Sequence, residues 1–149
     1  MTAEPNNPSA ETGSDPALSR VIPSTREAVR EIEVEVLDLV RTVRDDETAL
    51  FAVRLALEEA LTNALRHGNQ DDASKSITVQ TILHDDRIAI HIVDEGRGFD
   101  PKAVPDPTAA ENLEIPSGRG LMLMKAYMSD VIYHPPGNHV ELTLSRTAD

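Results

Sequence analysis

The sequence predicts an α+β fold, a two-layer sandwich in which three helices cover one face of a mostly antiparallel (mixed) sheet. Two patterns lead to this prediction. Apolar residues recur every three or four positions in three segments, which is the spacing of an amphipathic helix. Apolar and polar residues alternate in shorter segments separated by tight turns, which is typical of half-buried strands paired as hairpins. An antiparallel sheet with one apolar face packs against helices in a layered domain.

The chain divides into a short tail and one domain. Residues 1–16 are rich in Pro, Asn, Ser and Glu and hold almost nothing to bury, so we expect a disordered N-terminal tail. Residues 17–149 have the length of a single domain. Aromatic residues make up only 3% of the chain and Trp is absent, so the core must be aliphatic.

The domain is expected to begin with a strand and a helix. Residues 18–22 favour a short strand, which Pro23 ends. Ser24 with Glu27 three residues later matches the capping-box pattern of a helix start. The first helix is expected to run to Val43 with one apolar face. That face comprises Val29, Ile32, Val36, Leu39, Val40 and Val43.

A second helix follows directly. Asp45 and Asp46 break the first helix and supply an N-cap and early negative charge for the second. This helix is expected to reach about His67, because Gly68 follows the last periodic residue and is typical of a helix stop. Its apolar face comprises Leu57, Leu61 and Ala64.

The rest of the chain predicts four strands and one more helix. In order, the elements are a strand over 77–83, a turn at 84–86, a strand over 87–93, a loop over 99–116, a helix from Gly118 onward, a strand over 131–133, a turn at 135–138 and a strand over 140–144. The loop holds four prolines and no sustained periodicity. Long structureless loops of this kind commonly act as lids over a binding site.

Charge and composition exclude several classes of function. Acidic residues number 26 against 14 basic ones, and a net charge of −12 repels nucleic acid, so no direct nucleic-acid binding is expected. The absence of Cys excludes a disulfide framework and fits a reducing compartment. No apolar run has the roughly 18 residues of a membrane helix, and no signal-peptide pattern is present. We therefore expect a cytoplasmic protein without membrane contact.

The histidines offer no recognisable site in the sequence. His84, His91, His134 and His139 lack metal-ligand spacing, so no zinc site is predicted. His67 is adequately explained as a cation that complements the dipole at a helix C-terminus. No Ser-His-Asp arrangement can be argued from the sequence.

Glu59 and Asn63 form the first candidate site. They are four residues apart and therefore lie on one face of the second helix, away from its apolar face. A carboxylate beside a carboxamide is a poor pair to bury without a ligand. The pair suits a magnesium ion and a polarised hydroxyl, because hard cations take oxygen ligands.

Two glycine clusters form the second and third candidate sites. Asp94, Gly96 and Gly98 follow a strand, and residues 118–121, Gly-Arg-Gly-Leu, open the third helix. A Gly-x-Gly at a helix start lets backbone N–H groups approach phosphate, and the helix dipole favours the anion. Neither a Walker loop nor a Rossmann fingerprint occurs in the chain.

Taken in this order, the motifs E-x-x-x-N, D-x-G-x-G and G-x-G-L-x-L-M resemble those of the Bergerat-fold ATPases, the GHKL group. The segments from Glu59 to Gly68 and from Gly118 to Asp130 are similar to the anti-sigma factor serine/threonine kinases within that group. The resemblance covers residues 18–146. It implies an ATP-binding fold with ATP and Mg²⁺ as cofactors.

The resemblance implies a role for each candidate residue. Asn63 would coordinate the Mg²⁺ that bridges the phosphates, and Glu59 would act as a general base on the hydroxyl of a protein serine or threonine. Asp94 would accept a hydrogen bond from the adenine amino group, while Gly96 and Gly98 would let the backbone lie against the base. Ordinary interpretations stay open, since turns also favour Asp and Gly.

The third helix and the loop before it complete the implied site. Gly118, Arg119, Gly120 and Leu121 would contact the phosphates, and residues 99–117 would close over the nucleotide as a lid. Arg119 could equally be a plain surface residue.

The implied function is that of an ATP-dependent serine/threonine protein kinase acting as an anti-sigma factor. Such a protein sequesters a sigma factor and phosphorylates a STAS-type anti-anti-sigma partner, and a homodimer is compatible with the resemblance. Two alternatives remain open: a non-catalytic nucleotide-binding regulator that switches partners, and a detached histidine-kinase-like ATPase domain. The first helix contains no His, which disfavours the second alternative.

Overall fold

The computed structural model describes residues 15–97 and 118–147, with only the backbone described at 118–121 and 123. The elements are β1 (Leu18–Pro23), α1 (Arg26–Val43), α2 (Glu47–Thr62), a π-helical turn (Asn63–Gly68), β2 (Ser76–Leu83), β3 (Arg87–Val93), α3 (Gly118–Tyr127), β4 (Asp130–His134) and β5 (His139–Ser145). The helices and strands predicted from periodicity within these ranges are all present.

The five strands form one sheet in the order β1-β2-β3-β5-β4. Every pairing among the described strands is antiparallel. Helices α1 and α2 pack together, α2 also packs on α3, and each helix contacts a strand. The predicted α+β sandwich is confirmed.

The core lies between the sheet and the helices and is aliphatic, as the low aromatic content predicts. Its fully buried side chains include Ile32 and Val36 of α1, Leu57 and Leu61 of α2, Ile77 of β2, Ile88, Ile90 and Ile92 of β3, Met124 of α3 and Leu142 of β5. Burial of such aliphatic side chains contributes roughly 1.5–3 kcal/mol each before conformational entropy is subtracted. The core therefore fixes the positions of β3 and β5, at whose adjoining ends the candidate site lies.

The predicted capping box at Ser24 is wrong by one residue. Thr25 is the N-cap of α1, and its hydroxyl accepts a hydrogen bond from the Ala28 N–H at 3.2 Å. The Ser24 hydroxyl is buried and is used elsewhere, since it donates to the Lys75 carbonyl at 2.8 Å. The same oxygen accepts a hydrogen bond from the Asn69 amide at 2.7 Å, so the Ser24 hydroxyl serves contacts outside the helix as both donor and acceptor.

The predicted cap of the second helix is confirmed. The Asp46 carboxylate accepts a hydrogen bond from the Ala49 N–H at 2.8 Å, and Arg44 donates to the same carboxylate at 2.8 Å. The Arg44 side chain, followed by the Ala49 N–H, holds the pKa of Asp46 below its usual value.

The end of α2 is wider than a regular α-helix. From Asn63 to Gly68 the chain forms a π-helical turn, and the Asn69 N–H donates to the Ala64 carbonyl five residues back. Such turns occur frequently at functional sites. The sequence predicted the helix end at Gly68 but not this change in pitch.

Two predicted segments fall largely or wholly outside the described residues. Residues 1–14 of the N-terminal tail and the lid at 99–117 belong to this part of the chain, as does Gly98. Within 15–97 and 118–147, no helix is long and apolar enough to cross a bilayer.

Candidate functional site

A pocket of about 400 Å³ opens where the π-helical turn, the end of β3 and the β4–β5 turn meet. Its described lining comprises Ala60, Asn63, Ala64, His67, Gly68, Gln70, Lys75, Ile92, Asp94, Glu95, Gly96, Arg97, Tyr133, Gly137, Asn138 and Val140. Aliphatic side chains such as Ile92 and Val140 line the pocket together with polar groups. Pockets of this size and character hold small organic ligands.

Asp94 is the central acidic group of the pocket. Its Oδ1 atom accepts a hydrogen bond from the Gly96 N–H at 2.7 Å, which leaves Oδ2 without a donor among the described residues. Its backbone is fixed by Asn138, since the Asp94 N–H donates to the Asn138 carbonyl and the Asn138 amide donates to the Asp94 carbonyl, both at 2.9 Å. The carboxylate is therefore held in place with one oxygen available to a ligand.

Burial raises the pKa of Asp94 to about 6, against the opposing effects of the Gly96 N–H and the Lys75 ammonium. Removing a carboxylate from water disfavours its charged form, and the two nearby donors only partly compensate. Perturbed carboxylates in a pocket are common at functional sites.

Gly68 and Gly96 leave room for this carboxylate. A Cβ atom added to Gly68 would overlap the Asp94 carboxylate, and one added to Gly96 would overlap the Gly68 carbonyl. The end of the π-helical turn and the segment after β3 therefore approach at backbone distance, and a side chain at either position would separate them.

Asn63 and Tyr133 also line the pocket. The Nδ2 atom of Asn63 is buried and has no hydrogen bond of standard geometry to a described residue. Burial raises the pKa of Tyr133; the Asn63 amide opposes the rise, and the carboxylates of Asp94 and Glu59 add to it. Asn63, Asp94 and Glu59 therefore all lie close enough to Tyr133 to influence its hydroxyl.

Glu59 is near this group but does not line the pocket. It lies one helical turn before Asn63 and is half-buried. Burial, followed by the neighbouring Glu58 carboxylate, raises the pKa of Glu59 above its usual value. The structure therefore brings together Asn63, Asp94 and Gly96 in the pocket and leaves Glu59 beside it.

Asn69 is a supporting residue that sequence reasoning missed. It is fully buried, and its amide donates to the Ser24 hydroxyl at 2.7 Å and the Ser76 carbonyl at 2.9 Å, while its Oδ1 accepts the Glu95 N–H at 2.8 Å. This one side chain ties the segment before α1 and the start of β2 to the segment after β3. The available signal in the sequence is an Asn directly after a helix-ending Gly.

Sequence reasoning also missed basic groups in the pocket. Lys75 lines it close enough to lower the pKa of Asp94, and His67, interpreted above only as a helix-dipole cation, lines it as well. Arg97 is the last described residue of this segment and also borders the pocket. Lys75 and Arg97 provide positive charge in an otherwise acidic protein.

The remaining predicted site residues are described only in part. Gly98 lies outside the described residues, and Gly118, Arg119, Gly120 and Leu121 are described by backbone alone, in the first turn of α3. The prediction that Gly118 begins a helix is confirmed. The predicted phosphate contacts of these four residues stay predictions.

Known proteins share both the sequence pattern and the fold. A family model described as the histidine kinase-like ATPase domain matches residues 22–144. Serine-protein kinase RsbW of Oceanobacillus iheyensis is 34% identical over 85 residues, which cover 53% of this chain and 54% of that protein. Anti-sigma F factor of Clostridium perfringens is 30% identical over 84 residues, which cover 55% of this chain and 60% of that protein. The chain thus matches little more than half the length of these relatives.

A solved structure shows the same fold. The RsbU and RsbW domains of a Mycobacterium tuberculosis protein align with a TM-score of 0.59 and 19% identity, covering 86% of this chain and 31% of that one. The resemblance to GHKL ATPases stated from the three motifs is confirmed.

Proposed function

Since the chain belongs to the histidine kinase-like ATPase domain family, we propose that it binds ATP with Mg²⁺ and acts as a serine/threonine protein kinase of the anti-sigma type. The observation that carries this proposal is Asp94, a buried carboxylate held by backbone contacts in a pocket, with one oxygen available. Similarity to proteins named serine-protein kinase RsbW and anti-sigma F factor supports the kinase and anti-sigma parts.

The described residues fit an adenine nucleotide. Asp94 can accept the hydrogen bond of the exocyclic amino group, and the aliphatic floor of Ile92 and Val140 can contact the ring. Gly96, with Gly98 beyond it, allows the base to approach the backbone. A guanine ring would present a carbonyl oxygen to the same carboxylate, so the site should discriminate against GTP.

The donor set also fits a magnesium ion. Asn63 supplies an amide oxygen in the lining of the pocket, which is the ligand type that Mg²⁺ takes. Lys75 and Arg97 add positive charge near the phosphates, together with the backbone N–H groups at 118–121. Bound MgATP would supply the phosphoryl group.

Glu59 is proposed as the general base. Its raised pKa moves a carboxylate toward the range useful for accepting a proton from a hydroxyl at neutral pH. Its position beside the pocket, one turn before Asn63, suits a residue that meets the hydroxyl of a protein substrate at the mouth. Phosphoryl transfer otherwise depends on positioning and charge neutralisation.

The proposed partners follow from the same comparison. A sigma factor would be sequestered, a STAS-type protein would be the phosphate acceptor, and a homodimer belongs to the proposal as well. The excess of 26 acidic over 14 basic residues suits a protein partner rather than nucleic acid. A cytoplasmic location is part of this proposal.

The test separates nucleotide binding from phosphoryl transfer. Calorimetry with MgATP and MgGTP measures binding, and labelled ATP with cell extract or a STAS-domain protein measures transfer. We expect Glu59→Gln to retain ATP binding and lose transfer, whereas Glu58→Gln, on the exposed neighbour, should retain both. Asp94→Asn should lose ATP binding.

A second candidate, a nucleotide-gated regulator without transfer, is favoured by one observation: Glu59 does not line the pocket. ATP binding without any labelled acceptor would establish that candidate. Absence of ATP binding by the wild-type chain would contradict both.

A further inference from the structure

Three histidines that are scattered in the sequence meet on the sheet. His91 lies in β3, His134 ends β4 and His139 begins β5. One ligand-capable nitrogen from each ring lies within 4.8 Å of the others. Sequence spacing predicted no metal site here because the strands, and not a local motif, bring the three rings together.

The cluster lies on the face of the sheet opposite the helices. His91 stands between Ile90 and Ile92, whose side chains are in the core, and successive strand residues point to opposite faces. His134 and His139 are direct partners in the register of β4 and β5, and Glu141 is opposite His91. The three-histidine cluster is therefore separate from the nucleotide pocket, although Asn138 of that pocket directly precedes His139.

The hydrogen bonds of the cluster leave ring nitrogens available. His91 Nδ1 and His139 Nε2 are 2.9 Å apart, so only one of them carries the shared proton. His91 Nε2 is buried and has no partner among the described residues. His134 Nε2 is 3.0 Å from the Glu141 carboxylate, which keeps a proton on that nitrogen and leaves the lone pair on Nδ1.

We propose that His91, His134 and His139 form a binding site for a divalent transition metal ion of the zinc type. On a tetrahedral zinc ion with Zn–N bonds of about 2.0–2.1 Å, two ligand nitrogens lie about 3.3 Å apart. In the structure one ligand-capable nitrogen of each ring lies within 4.8 Å of the others, which is close to that spacing. Rotation of the rings would bring the nitrogens to the distances that the ion requires.

The surroundings complete the site. His134 is 30% exposed, so it can rotate, and the fourth coordination position can be filled by water from that side. The Glu141 carboxylate orients the His134 ring by accepting a hydrogen bond from its Nε2 atom, an arrangement that commonly fixes metal-bound histidines. Oxygen-preferring Mg²⁺ should not compete, since three imidazoles are a poor match for it.

The test uses the full chain purified without a histidine tag and stripped of metal. Calorimetric titration with Zn²⁺, in the presence of excess Mg²⁺, should give one equivalent bound. Co²⁺ in its place should give the intense visible absorption of a four- or five-coordinate ion. His134→Gln should weaken Zn²⁺ binding by at least about tenfold, whereas His84→Gln, on a histidine outside the cluster, should leave it unchanged.

His134→Gln is the decisive variant because its side chain is partly exposed and its replacement should not disturb folding, which thermal denaturation verifies. His91→Gln and His139→Gln, both buried, extend the result if they fold. Failure of the wild-type chain to bind Zn²⁺, or equal affinities for the His134 and His84 variants, would overturn the proposal. Neither outcome depends on whether the chain binds ATP.

Discussion

Asp94 and Asn138 clamp each other at the adjoining ends of β3 and β5 through two hydrogen bonds of 2.9 Å, one from each residue to the other's carbonyl. The residues are 44 positions apart, and the clamp joins the end of β3 to the turn before β5. The clamp fixes the backbone of Asp94, and the proposed adenine contact depends on the carboxylate of this residue.

Asn138→Ala tests this clamp. The substitution removes the donor to the Asp94 carbonyl while leaving the backbone bond, so Asp94 should become less well positioned. We expect ATP affinity to fall about fivefold, the equivalent of about 1 kcal/mol for one hydrogen bond. Calorimetry measures the change, and Gln80→Ala is the matched control because the Gln80 amide donates to the Ser19 hydroxyl and Gln80 does not line the pocket. Equal affinities for the two variants would show that the clamp is irrelevant to binding.

Asp94→Asn should stabilise the protein while removing function. Because burial raises the pKa of Asp94 from 3.8 to about 6, the folded state takes up a proton between about pH 4 and 6 that the unfolded chain does not. The free energy of unfolding therefore falls as the pH rises through this window, and the ionised group is unfavourable at pH 7. Asparagine keeps the shape without the charge.

We expect Asp94→Asn to raise the free energy of unfolding by about 1–3 kcal/mol at pH 7.5, with little gain at pH 4, and to weaken ATP binding at least tenfold. Urea denaturation at both pH values measures the first effect. Asp85→Asn, in an exposed turn, controls for the change in net charge. A stability gain that did not depend on pH would contradict the assignment of a buried carboxylate.

The elements that sequence reasoning predicted well depend on local patterns. Periodicity identified α1 and α2 and the strands of both hairpins, and Asp46 capped α2 as expected, because these features are set by neighbouring residues. Asn63, Asp94 and Gly96, which the motifs predict as site residues, line one pocket, and their binding roles stay predictions.

The features that were missed depend on contacts between distant residues. Asn69 bonds to a side chain 45 positions away, and His91 meets His139 across 48 positions, so neither role is visible in a local window. Ser24 was assigned to a cap that Thr25 occupies, because local spacing could not show that the Ser24 hydroxyl is engaged by the loop before β2.

Gly68→Ala should be destabilising because of Asp94 in particular. The added Cβ would overlap the Asp94 carboxylate, so we expect a loss of about 1–3 kcal/mol in the free energy of unfolding and weaker ATP binding. In an Asp94→Ala background the loss should shrink by about 1 kcal/mol or more, since the overlapping atoms are gone.

Gly96→Ala provides the contrast in the same urea measurements. Its nearest obstacle is the Gly68 carbonyl, which belongs to the backbone and remains when Asp94 is truncated. Its loss of stability should therefore persist in the Asp94→Ala background. If both glycine variants responded equally to Asp94→Ala, the close packing inferred at Gly68 would be wrong.

Asn69→Ala should destabilise the fold next to the pocket, although Asn69 does not itself line the pocket. The fully buried amide makes three hydrogen bonds, and truncation leaves the Ser76 carbonyl and the Glu95 N–H without their side-chain partner. Unsatisfied buried groups of this kind cost about 1–3 kcal/mol each, so we expect a loss of about 2–4 kcal/mol in the free energy of unfolding. Ser24→Ala breaks only one of the three bonds and should have the smaller effect.

Because Asn69 fixes the Glu95 backbone next to Asp94, ATP affinity should also fall under conditions where the variant is fully folded. Unchanged affinity in the folded variant would restrict Asn69 to a role in stability alone.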